Sequence, residues 1–369
     1  MWSLLSLFLL FLIPLCSQEL IRSEKQTFKV ETVIEGLKTP WALEKLPDGR
    51  FLFTERSGSL HFFDEKGLDP TPISGLPAVF SKGQGGLLDL KLHPQYQENG
   101  WIYLSYSEPI QDKAFTKIIR GKIIDHQWSS SETIFEAPPE DYTKNPIHFG
   151  TRMVFDNQRY LFFSIGERGA MNEAQNLSKA QGKIHRVFDD GKIPTDNPFY
   201  NQPKAVKSIW CYGNRNPQGL FFDREKGKLW ETEHGPKGGD ELNLIGKGNN
   251  YGWPLVSYGI NYNGKPISDK QEAEGITNPI TYWVPSIAVS NLLLYRGNQY
   301  YQWKENLFVV SLGLQKFIRM EIVNDQVTHQ EVIWEMKGRM RDIRTFDDGY
   351  IYILFNDPGK IVRLKPFSN

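Results

Sequence analysis

The chain has 369 residues, and its 43 Lys and Arg are matched by 43 Asp and Glu. A formally neutral chain lacks the basic surface of a nucleic-acid binder or of a protein held to an anionic bilayer. Its 10 Trp, 16 Tyr and 23 Phe supply a sizeable core, while 32 Gly and 22 Pro provide the many turns of an all-β protein with short strands.

Leu4 to Leu15 form a nearly unbroken apolar run, interrupted by Ser6 and Pro14. The run is too short to span a bilayer, which takes about 20 residues, and fits the apolar region of a secretory signal. Residues 1–17 are therefore read as a signal peptide or lipoprotein leader. The protein is expected to be exported to the periplasm or cell envelope, without a transmembrane span in the mature chain. Cys16 follows the run directly and is a candidate lipid anchor, although Leu15 is bulkier than the residue usual before a lipidated Cys. Cys211 is the only other cysteine, which excludes a disulfide framework or a Cys-rich metal site.

From residue 24 to 369 a single domain is expected. One pattern recurs in it: a turn with Asp, Asn or Gly, then a strand rich in Tyr, Phe, Ile, Leu and Val. The copies run Leu46 to Phe63, His93 to Ser107, Phe155 to Gly169, Phe222 to Gly235, Trp303 to Met320 and Phe346 to Leu364. Six such hairpins favour a six-bladed β-propeller over a large β-sandwich, and period-2 alternation excludes a helical solenoid. The longest insertions, Asn172 to Lys207 and Gly252 to Gln302, are predicted to lie over the ligand-binding face.

None of the seven histidines forms HxH or HExxH, and no G-x-S-x-G elbow or Walker loop occurs. Chemistry must then come from residues scattered over several blades. Five segments interrupt apolar strands with glycine and polar residues: Gly83 to Leu90, His148 to Phe155, Tyr212 to Leu220, Glu233 to Asn243 and Gly338 to Arg344. His148 suits a general base, with a pKa near working pH; equally, it could be a turn histidine bonded to the next blade. Arg215 and Asn216 offer a cation and an amide, or a tight turn. Gly235 and Pro236 force irregular backbone whose carbonyls, with Asp240 and Glu241, would suit Ca²⁺; alternatively Asp240 caps the turn. Arg339 and Arg341, two apart on a strand start, point to one side. They would seek a carboxylate ligand there or pair with Asp342 or Asp347.

Together these segments resemble the glucose/sorbosone dehydrogenase family, and within it the soluble aldose sugar dehydrogenase branch that uses pyrroloquinoline quinone (PQQ). The resemblance runs from about Gly36 to Pro366 and rests on PWAL (Pro40 to Leu43), GQGGLLDL, HFGTR, GERG (Gly166 to Gly169), YGNRNPQGL, ETEHGPKGGDELN, NYGWP (Asn250 to Pro254), PSIA (Pro285 to Ala288) and RMRD. It implies a six-bladed propeller that oxidises aldoses at C1 to the lactone, with PQQ and Ca²⁺ as cofactors. By resemblance His148 is the base, Glu167 its orienting acid, and Arg215 stands both at the reacting centre and on the quinone. Gln84, Asn216, Tyr262, Arg339 and Arg341 would also contact the quinone. Gly235, Pro236, Glu241 and Tyr251 are the implied calcium ligands. Two positions depart from the family pattern: Gly313 stands where a quinone-binding lysine is usual, with Lys316 a possible substitute, and Glu167 replaces Asp. The expected partners are an aldose and an electron acceptor, with the protein a monomer or homodimer and no nucleic acid involved. Two rival readings share the fold: a calcium-dependent lactonase, which needs no paired arginines, and a non-catalytic binding propeller that has lost quinone affinity.

Overall fold

The computed structural model describes residues 20–335 and 337–367; the leader and Cys16 lie outside the described residues. Among these, the strands form six antiparallel sheets arranged as the blades of a propeller. The first five blades are four-stranded and sequential. Their innermost strands are Pro40–Lys45, Leu87–Leu92, Met153–Phe155, Pro217–Asp223 and Val289–Leu294. The sixth is built from both parts of the chain: Arg339–Thr345, Ile351–Asp357 and Gly359–Pro366 continue into Thr27–Glu35, which pairs with Gly359–Pro366 from Phe28↔Pro366 to Glu35↔Lys360. Leu20–Arg22 adds an outer strand to that sheet. Joining N-terminal to C-terminal sequence closes the ring, so no blade is left with an open face.

The expected hairpins fall where the turn residues put them. Phe51–Glu55 pairs with Ser59–Asp64, and Asn306–Ser311 with Lys316–Val323. The copy beginning at His93 differs, because a one-turn helix, Tyr96–Asn99, precedes its strand Ile102–Ile110. Inner strands such as Leu161–Ile165 and Asn306–Ser311 are buried along their whole length, since each blade packs both faces against neighbours. The core therefore lies between blades. One aromatic cluster joins Tyr295, Tyr300, Trp303 and Phe308 to Phe355; another joins Trp41, Leu87, Leu104 and Phe149.

The central channel is plugged by charge. The Arg152 guanidinium donates to Asp89 at 2.8 Å and lies 3.4 Å from Asp342, over the face of Trp41. Arg344 bridges the same two carboxylates, at 3.3 Å and 3.0 Å. Burial alone would raise the Asp342 pKa, yet Arg344 and Arg152 hold it below the ordinary value. Every blade contributes: Asp342 also accepts from the Leu43 amide and the Asn291 side chain, and Arg152 donates to the Gln218 carbonyl at 3.2 Å. The plug separates two mouths. One opens into a cavity of about 630 Å³ beside Trp41, Gln218 and Arg341. The other, of about 550 Å³, opens among Leu220, Leu292 and Arg344.

Candidate active site

The first mouth gathers the segments singled out from sequence. His148 sits on the loop entering the third blade, with backbone φ of 53° and 8% exposure. Its amide donates to Gln84 Oε1 at 2.8 Å, and Gln84 in turn lines the cavity. A side chain at Gly150, two residues on, would come within 2.7 Å of the Ser164 carbonyl at a φ of +78°, so only glycine lets this loop lie so close to its blade. Nδ1 of His148 is in contact with Glu167 Oε1. A carboxylate only accepts, so Nδ1 carries the proton and Nε2 keeps its lone pair. Burial, countered by Glu167 and reinforced by Arg215 and Arg168, depresses the His148 pKa below its ordinary value. The ring is thus a neutral base at neutral pH.

The same mouth carries a cluster of arginines. Arg339 and Arg341 both line the cavity, and neither pairs with Asp342 or Asp347: Arg339 donates to the Leu312 carbonyl at 3.2 Å and Arg341 to Gln218 Oε1 at 2.7 Å. Burial, then the guanidiniums of Arg152 and Arg339, push the Arg341 pKa down to about 9. Arg215 donates to the carbonyls of His234 and Gly235, at 3.0 and 2.7 Å, and lies over Trp253 of the long insertion. Glu233 fixes this segment, accepting from the amides of Arg215 at 2.5 Å and Asn216 at 3.1 Å. Several buried polar atoms here have no protein partner: Arg215 Nε, Arg341 Nε, Asn216 Nδ2 and His234 Nε2. Buried polar groups are ordinarily satisfied, so this cluster is arranged for a polar, acidic ligand.

Behind Gly235 lie three carboxyls, Glu231 and Glu233 buried and Glu241 half-buried. Burial raises all three pKa values, and Glu233 raises those of the other two further by charge repulsion. Asn243 donates to both Glu231 and Glu241, while Glu231 Oε1 and Asn243 Oδ1 have no partner. Hard oxygen acceptors without donors suit a cation such as Ca²⁺. Even so, among the described residues no group of three or more acidic, His or Cys side chains has a metal-holding arrangement. The Tyr251 phenol is committed elsewhere, donating to the Leu244 carbonyl and accepting from the Gly246 amide. Asp240 does cap its turn, accepting from the Gly235 amide and the Ser286 hydroxyl.

Of the sequence candidates, Gln84, Arg339 and Arg341 line this cavity, whereas Arg215, Gly235, Pro236, Glu241 and Tyr251 line a smaller pocket that shares His234 with it. Tyr262 and Lys316 line neither. Tyr262 is 75% exposed in the insertion, and the Lys316 ammonium pairs with Glu335 at 3.4 Å. At Gly313 a Cβ would lie 2.8 Å from the Ile287 carbonyl, so a lysine would not fit this turn without moving it. Conversely, Trp41, Gln218 and His234 line the cavity although sequence reasoning gave them no role. Each lies inside a quoted motif (PWAL, YGNRNPQGL, EHGPKGG), which was the available signal.

Fold and site together define a propeller with a buried, acid-oriented histidine and, at the same mouth, buried arginine and amide atoms that lack protein partners. The chain belongs to the Glucose / Sorbosone dehydrogenase family, whose model matches residues 37–363. It is 42% identical over 366 residues to the aldose sugar dehydrogenase YliI of Escherichia coli, covering 96% of this chain and 98% of that one. The apo-form structure of the soluble aldose sugar dehydrogenase from Escherichia coli superposes with a TM-score of 0.88 at 40% identity, covering 92% of this chain and all of that one. The PQQ-bound form of aldose sugar dehydrogenase from Streptomyces coelicolor gives a TM-score of 0.76 at 25% identity, covering 92% and 98%.

Proposed function

We propose that this protein oxidises aldoses at C1 to the lactone, using PQQ and Ca²⁺. The observation that carries the reading is the pairing of a neutral His148, Nε2 free, with buried arginine and amide atoms that lack protein partners. Those atoms fit a planar polycarboxylate: Arg339 and Arg341 would hold its acid groups, with Gln84, Arg215 and Asn216 along its edge. When bound, the quinone supplies the two-electron acceptor for the hydride leaving C1, and calcium supplies a Lewis acid. His148 Nε2 takes the proton from the C1 hydroxyl. Glu167 holds the ring and stabilises the imidazolium as it forms. Arg215, anchored by Glu233, keeps the carbonyls of His234 and Gly235 in place. Those of Gly235 and Pro236, or Glu241 with the backbone of Tyr251, would ligate the metal.

Titration of apo-protein with PQQ and Ca²⁺, followed by bound-cofactor absorbance and aldose-dependent dye reduction, tests the reading. Saturable binding with sugar-dependent turnover is expected. The crowding at Gly313 favours one rival, a propeller that binds a ligand without catalysis; an absence of quinone binding at micromolar concentration would put it first. Hydrolysis of lactones without quinone would instead support the hydrolase. Chelator-treated protein should recover turnover only when Ca²⁺ is added with the quinone, and full recovery with quinone alone would remove calcium from the proposal.

Arg341→Leu should weaken quinone binding by about 2 kcal/mol or more, roughly thirtyfold. The substitution strips one partner from a buried charged contact, while the plug residue Arg152 keeps its own carboxylates. An unchanged dissociation constant would place the acid groups of the ligand elsewhere.

A further inference from the structure

The residue after the orienting acid has no assigned role and an unusual environment. Arg168 is 2% exposed. Its guanidinium donates to the Ile147 carbonyl, to the Asn145 carbonyl at 2.7 Å and to the Ala114 carbonyl at 3.5 Å. Its central carbon lies over the Phe149 ring, 3.4 Å from the ring centre. These contacts bracket His148 on both sides in sequence and tie its loop to the second blade. His148 itself holds a left-handed φ, a conformation that persists in a non-glycine residue only when its surroundings enforce it. Thr116 assists by donating to the Phe149 carbonyl at 2.8 Å.

The charge is as telling as the geometry. Among the described residues no carboxylate pairs with Arg168; the neighbouring Glu167 is turned to His148 instead. A buried cation without an anion is costly, and a purely mechanical clamp would not need one. Burial is the largest influence against a protonated imidazole; Arg215 and, less strongly, Arg168 add to it, with the neutral His234 nearby, against the single acid Glu167.

We propose that Arg168 is the positioning residue for His148: its planar fork fixes the loop that carries the ring, and its charge, which no carboxylate pairs, adds to that of Arg215 near the ring. Adjacent residues thus divide the task, with Glu167 setting the tautomer and Arg168 the backbone and the charge. The inference rests on His148 being the general base.

Its test begins in the apo-protein, where the His148 ring can be titrated by NMR. In Arg168→Gln the midpoint should move to higher pH, since a positive neighbour is gone. In the quinone- and calcium-loaded enzyme the acid limb of kcat should move the same way, with plateau kcat lower by about ten- to a hundredfold and quinone affinity unchanged. Arg168→Lys keeps the charge but loses the fork, so its midpoint should stay near wild type while plateau kcat falls. An unmoved His148 titration in Arg168→Gln, or a wild-type plateau kcat in Arg168→Lys, overturns the proposal. Should Arg168→Gln fail to fold, Arg168→Lys decides on plateau kcat alone. A wild-type protein that titrates as described yet oxidises no aldose would defeat the proposed function while leaving the charge effect of Arg168 measurable.

Discussion

His148→Ala is expected to reduce kcat for aldose oxidation by about 10²–10⁴-fold, the usual contribution of a positioned general base, with quinone affinity largely retained. The ring's Nδ1 is committed to Glu167, and the backbone amide that bonds Gln84 survives the substitution, so the change removes a proton acceptor rather than a cofactor contact. In the wild type the acid limb of kcat/KM should lie below the ordinary histidine pKa of about 6.5. Burial and the two neighbouring arginines depress the value by more than Glu167 raises it. Glu167→Gln should move the limb lower still, because it withdraws the one group favouring the imidazolium. Stopped-flow reduction over a range of aldose concentrations up to saturation, across pH in the wild type and both variants, measures each quantity. Retention of wild-type kcat by His148→Ala would refute the assignment of the base.

Arg152→Met is expected to destabilise the protein by about 3–5 kcal/mol, a fall in Tm on the order of 10 °C for a domain of this size. The substitution leaves Asp89 and Asp342 at the propeller axis with only Arg344 between them. It also removes the bond to the Gln218 carbonyl and the cation from the face of Trp41. The effect should reach the site, because Gln218 also accepts from Arg341 at 2.7 Å. Weaker quinone binding is thus expected to accompany the lower Tm. Replacing Asp89 by Asn in the Arg152→Met background should recover part of the stability, since the repulsion between the two carboxylates is then removed and Arg344 balances Asp342. A loss below about 1 kcal/mol, the range of exposed ion pairs, would show that the axis is held by packing alone.

Much of the fold was readable along the chain because hairpins are local. Asp48 and Gly49 make a turn whose side chain accepts from the Arg50 amide, and Gly49 takes a φ of +90°; strands of fitting composition on either side then have only one way to pair. Arg339 and Arg341 were also legible as a pair. They share the cavity wall even though the pairing of their strand shifts register at Met340. Spacing gave no view of what each polar group was already bonded to. The Tyr251 phenol, suited on paper to a metal, is spent on its own hairpin, and Tyr262 stands in solvent.

Local sequence by itself determined the turns, the strands, the repetition of a hairpin six times and the residue types gathered at one mouth. Those properties depend on residues within a few positions of one another. Only the tertiary structure decided the closure of the sixth blade by Thr27–Glu35, the ion cluster that draws Asp89, Arg152, Asp342 and Arg344 to one axis, and the burial that lowers the His148 pKa. Each of these joins residues far apart in the chain, where a charge's partner and its exposure to water are set by packing and not by neighbours in sequence.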